Sequence, residues 1–174
     1  MPILIAILGL ATAIVFFVLR ARNAAHAASD LADMANDVRL AARRFGFRRR
    51  GDLHPAESIE DPKLAIATLA MAYQELDGAP TQDQRDQLSL SLRKHLTLDQ
   101  GGASEAMVLG RWMVAQCGGP DAAVSRISRK LFRLGGAEQL APLISVIQGS
   151  MGDQDQPSQR QHEALQDIQR AFKV

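Results

Sequence analysis

Residues 61–78 read Asp-Pro-Lys-Leu-Ala-Ile-Ala-Thr-Leu-Ala-Met-Ala-Tyr-Gln-Glu-Leu-Asp-Gly, and this stretch decides the fold. Asp61 before Pro62 is helix-start chemistry, because a carboxylate satisfies free amides and Pro fits a first turn that has no use for its missing N–H. From Leu64 to Leu76 the helix is apolar nearly all round. A helix of that kind outside a membrane has to sit at the centre of a bundle. Gly78 supplies the left-handed residue that ends it.

Downstream, Thr81-x-x-Gln84 has the spacing of a capping box, in which side chain and backbone satisfy each other at a helix start. Leu88, Leu92 and Leu96 share one face of the helix that follows, with His95 beside them. Glycine pairs at 101–102, 118–119 and 135–136 read as flexible breaks separating helices of about three turns. Pro120 opens one of these helices, and Pro142 restarts or kinks another. No stretch alternates with period two, so no strand is expected. Apolar residues make up 47% of the 174 residues and aromatics only 5%, a balance that favours helix over sheet.

Upstream, residues 2–19 (PILIAILGLATAIVFFVL) carry no charge. Eighteen helical residues reach about 27 Å at ~1.5 Å per residue, close to the ~30 Å hydrocarbon thickness of a bilayer. A transmembrane anchor is therefore expected over residues 1–20. Ala25-His26-Ala27 resembles a signal-peptide cleavage pattern, but the basic side chains Arg20 and Arg22 follow the apolar run and none precedes it. Those arginines place the N-terminus outside and the rest of the chain on the cytoplasmic side of the inner membrane. Ala6, Gly9 and Ala13 lie on one face of the span, a small-residue pattern compatible with a homodimer.

Residues 21–60 are read as a helical connector and basic linker, and residues 61–174 as the cytoplasmic bundle. In the connector, Leu31, Met34, Val38, Ala41 and Phe45 form a seam suited either to a short coiled coil or to a helix lying on the bundle. Arg43, Arg44, Arg48, Arg49 and Arg50, interleaved with Phe45 and Phe47, form a juxtamembrane basic cluster. Such a cluster either attracts anionic lipid, with Phe entering the interface, or simply marks topology ahead of a flexible linker over 51–60. Its place beside the anchor argues for lipid and against nucleic acid. His54-Pro55-Ala56 is read as a turn.

Pro80-Thr81-Gln82-x-Gln84-x-Asp86-x-Leu88 recurs as Pro157-Ser158-Gln159-x-Gln161-x-Glu163-x-Leu165, a faint repeat suggesting a duplicated helical hairpin. With the apolar helix and Asp77-Gly78-x-x-Thr81-x-x-Gln84, this pattern resembles the tellurite-resistance TerB-like family, over about residues 62–173. That family includes the membrane-anchored N-terminal region of certain DnaJ-type co-chaperones. The resemblance implies an all-helical, internally duplicated bundle used as an interaction or stress-linked module, sometimes coupled to a divalent metal. The sequence departs from the family where the usual acid is Gln84, echoed by Gln161, and a neutral amide is a poor ligand for a hard cation. Asp77, Asp83 and Asp86 remain as metal-ligand candidates, with Asp153 and Asp155 in the second loop.

Chemistry is otherwise sparse. His26, His54, His95 and His162 have no shared helix turn, and a single cysteine, Cys117, makes neither a disulfide nor a multi-cysteine zinc site. The glycine pairs lack the Lys-Ser/Thr of a phosphate loop. Tyr73 and Trp112 read as core. No nucleophile has a visible base, so no enzyme activity and no cofactor are expected. One surface feature remains, a basic stripe of Arg126, Arg129, Lys130 and Arg133 opposite the apolar Val124, Ile127, Leu131 and Leu134. It suits an acidic partner or lipid, or is a solvated face. The expectation is a single-pass, membrane-anchored TerB-like module that tethers protein partners, with a divalent-metal-responsive module as the alternative.

Overall fold

Helix α1 (Pro62–Glu75) holds ten consecutive residues, Leu64 to Tyr73, that are all buried. The computed structural model describes residues 36–48, 53–151 and 156–173. The apolar run 2–19, its small-residue face, Leu31 and Met34, Arg49 and Arg50, and Asp153 and Asp155 lie outside them. Around α1 stand α2 (Gln82–Leu96), α3 (Gln100–Gln116), α4 (Pro120–Gly135), α5 (Leu140–Ser150) and α6 (Gln159–Ala171). All five touch α1, most extensively α3 and α4, while α2 packs on α5 and α6 on α4. The chain is all-helical, with no strand among the described residues. Among those residues no helix is long and apolar enough to cross a membrane.

The helix starts follow the sequence chemistry. Asp61 accepts from the Lys63 amide at 2.8 Å. Thr81 and Gln84 form a complete capping box, and Ser158 and Gln161 repeat it. Pro142 falls in the first turn of α5, where its missing N–H removes no bond within the helix. Buried hydroxyls are satisfied locally: Thr68 donates to the Leu64 carbonyl at 2.8 Å and Ser128 to that of Val124 at 2.6 Å. Ser91 reaches across to the Val146 carbonyl at 2.8 Å and joins α2 to α5.

One expected break is misplaced. Gly101 and Gly102 lie inside the first turn of α3, and the chain turns earlier, at Thr97, which takes a left-handed conformation (φ +55°). The 101–102 glycines serve close approach instead. A Cβ on Gly102 would stand 2.8 Å from the Asp99 carboxylate that caps the helix, and one on Gly101 would stand 3.1 Å from the Arg44 guanidinium. The pair at 118–119 does break the chain, with φ of +90° and +119°.

The compact unit begins at Val38, so the described residues 38–48 and 53–60 of the connector and linker are part of it. Ala41, Phe45 and Phe47 are buried, and Phe47 meets Trp112 edge-on at 5.8 Å between ring centroids. Neither phenylalanine is available to a lipid interface, because burial against the bundle already takes up its apolar surface. For the seam residues within the described part, the helix lies on the bundle. Ala56, Ser58 and Ile59 are likewise buried, and Pro55–Ser58 forms a short 3₁₀ turn rather than a flexible linker.

Helices α1 and α3 cross where Gly110 faces Thr68, and a Cβ there would meet the Met71 sulfur at 3.2 Å and the Thr68 Cα at 3.3 Å. Backbone cannot yield as a side-chain tip can, so Gly110→Val should cost about 1–3 kcal/mol as overpacking. Thr81→Ala and Ser158→Ala should each cost about 1 kcal/mol through loss of a cap. Urea unfolding of each variant checks both; an unchanged midpoint for Gly110→Val would refute the close crossing.

Candidate functional site

Helix α4 is sharply two-faced. Ala123, Val124, Ile127, Ser128 and Leu131 are buried, and Arg126, Arg129, Lys130 and Arg133 lie on the other side. The four cations do different things. Lys130 donates to the Glu57 main-chain carbonyl at 2.7 Å, and Arg133 pairs with the Glu57 carboxylate at 2.6 Å. Two of the four cations thus hold the 3₁₀ turn against α4. Arg126 and Arg129 have no ion-pair partner among the described residues.

His54 caps the turn that carries Glu57, whose amide donates to the His54 main-chain carbonyl at 2.8 Å. The His54 Nδ1 accepts from the Ala56 amide at 3.1 Å, so the other ring nitrogen carries the proton and donates to the Gln116 carbonyl at 3.1 Å. Between the turn, α4 and the end of α6 lies an open cavity of about 390 Å³, lined by Glu57, Arg126, Arg129, Phe132, Arg133 and Ala171. Phe132 forms its half-buried apolar element, set edge-on to Phe172 at 5.6 Å. The result is a groove with three guanidinium groups, one carboxylate already neutralised, and one aromatic ring.

A second cavity, about 210 Å³, lies between the two capping boxes. Tyr73, Gln74, Asp77, Gln84, Ser158 and Gln161 contribute to it. Both glutamine side-chain oxygens turn back to cap their own helices, at 2.9 Å to the Thr81 amide and 3.1 Å to the Ser158 amide. The Gln161 amide nitrogen donates to the Tyr73 carbonyl at 3.4 Å, and that of Gln74 donates to the Gln84 carbonyl at 3.0 Å. Burial, then the nearby Asp77, pushes the Tyr73 phenol up to about 12. Among the residues lining this cavity Asp77 is the one carboxylate. Asp83 stands in the first turn of α2, and Asp86 accepts from Gln82 at 2.9 Å. Among the described residues no three His, Cys, Asp or Glu side chains are gathered to hold a metal ion, so Asp77, Asp83 and Asp86 are not brought to one point.

The basic cluster at 43–48 is also divided. Arg44 binds the Asp99 carboxylate at 2.9 Å and that of Glu105 at 3.2 Å. The Gly102 amide and then Arg44 hold the Asp99 carboxyl below its ordinary range. Arg39, Leu40, Arg43 and Arg48 stay exposed. At the other end of the bundle, Arg160 donates to the Leu76 carbonyl and pairs with Asp121 at 2.8 Å, which joins α6 to α1 and α4.

Sequence reasoning read His54 as part of a turn without its reach to Gln116, and missed Glu57, Phe132 and Arg160, since each acts on a residue 39 or more positions away or on a surface formed only by folding. No family model, curated protein or solved structure matches the chain.

Cys117, at the end of α3, is half-buried, and that burial pushes its thiol up while Arg126 pulls it down less strongly. A raised pKa means less thiolate at pH 8 in the folded state than in the unfolded state. Iodoacetamide should therefore modify native Cys117 several times more slowly than the urea-unfolded chain. Equal rates would contradict the packing at this helix end.

Proposed function

We propose that the chain is a single-pass membrane protein whose TerB-like helical bundle is a protein-interaction module held at the cytoplasmic membrane face. The support begins with residues 2–19, an uncharged run of spanning length followed by Arg20 and Arg22. The observation that carries the reading furthest is the docking of residues 38–48. Ala41, Phe45 and Phe47 turn inward, while Arg39, Leu40, Arg43 and Arg48 face solvent. This segment belongs to the same compact unit as the bundle and follows the apolar run in sequence. Its outward arginines suit an anionic surface, at ~1 kcal/mol for each cation near the headgroups.

The function is confinement. A partner that also resides at the membrane meets the bundle at raised effective concentration without any new contact being required. Two anchored copies meeting through Ala6, Gly9 and Ala13 would add a second binding unit, and the family resemblance links such modules to stress responses.

Alkaline carbonate extraction of membranes from cells carrying the full chain, with a reporter fused to Val174, tests this. The chain should remain in the membrane pellet with the reporter active in the cytoplasm. Extraction into the supernatant, a periplasmic reporter, or a mature protein beginning after Ala27 would overturn the proposal.

A further inference from the structure

We infer that the α4 groove is a docking site for an acidic helical segment of a partner protein, anchored by Arg126 and Arg129 and seated on Phe132. This rests on reading the bundle as an interaction module, and it is independent of the anchor. The groove already displays the chemistry it accepts, because the Glu57 carboxylate is seated against Arg133 at 2.6 Å. That contact neutralises Arg133 and leaves Arg126 and Arg129, one half-buried and one exposed, as the cations with no carboxylate partner among the described residues.

Guanidinium groups present paired donors that match a carboxylate in two parallel hydrogen bonds, so carboxylates are a fitting counterpart. Spacing narrows the shape. Arg126 and Arg129, the two cations left over, stand at i and i+3, which at ~1.5 Å per residue sets them about 4.5 Å apart along α4. A partner helix with Glu or Asp at the same spacing presents its charges at the same intervals. Phe132 adds an apolar contact that such a helix meets with one Leu or Phe beside its acidic row. A docked peptide is the occupant that meets the whole lining, since it can place carboxylates on Arg126 and Arg129 and an apolar side chain on Phe132 between the Glu57 turn and Ala171.

The test uses the full chain in phosphatidylcholine nanodiscs and a fluorescein-labelled helical peptide with Glu at i and i+3 and one Leu beside them, read by anisotropy. The peptide should bind, and binding should weaken as salt rises. The double variant R126E/R129E should lose at least tenfold in affinity with unchanged helix content and thermal midpoint. R93E/K94E, two exposed cations on α2, should bind as the wild type does. A peptide with Lys in place of Glu should bind R126E/R129E and not the wild type, a rescue that mere damage to the fold cannot produce.

Equal affinity of wild type and R126E/R129E for the Glu peptide would overturn the inference, as would equal binding of a Gln peptide. So would a result in which the Arg pair governs binding to phosphatidylglycerol nanodiscs while the Glu peptide fails to bind. None of these outcomes bears on carbonate extraction, so failure of the groove and failure of the anchor are read separately.

Discussion

A helix that is apolar on every side has to be covered on every side. Leu64 to Tyr73 form such a helix, and the rest of the bundle is arranged to keep water from it. Five helices pack against α1. Fully burying a Leu, Ile or Met side chain is worth about 1.5–3 kcal/mol, so any gap in that cover is expensive. Close crossings follow from the same demand, since α3 reaches the α1 backbone at Gly110 only because no Cβ intervenes.

The edges of the bundle are fastened by charged and capping groups rather than by more core. Arg44 ties residues 38–48 to the first turn of α3, Lys130 and Arg133 tie the 3₁₀ turn to α4, and Arg160 ties α6 to α1 and α4. These are largely exposed pairs, each worth little alone in water. What they contribute is a fixed point of contact between segments far apart in sequence. The groove on α4 is a product of this fastening, its wall being the turn that Lys130 and Arg133 hold.

The parts of the fold written in local chemistry were legible in the sequence. Asp61-Pro62, the two capping boxes and the apolar run of α1 stand where their residues imply, as does the break at Gly118-Gly119. What depended on distant partners was not legible. Phe45 and Phe47 among arginines look like a lipid-facing cluster, and only the presence of Trp112 and the α3 surface makes burial the better outcome for them. Gly101-Gly102 looks like a break, yet it provides room for Arg44 and the Asp99 cap. The basic stripe on α4 was visible as a pattern, but which of its cations were already engaged depended on Glu57, more than seventy residues earlier in the chain.

The functional account turns on residues 38–48 being part of the bundle rather than a loose leash between it and the apolar run. Their amides have internal partners: Phe45 donates to the Ala41 carbonyl at 3.2 Å, and Phe47 to that of Ala42 at 2.8 Å. Hydrogen exchange on the full chain in nanodiscs reads this directly. The account predicts that the amides of Phe45 and Phe47 are protected to the same degree as those in the middle of α3. Exchange of both within seconds, while α3 stays protected, would contradict it.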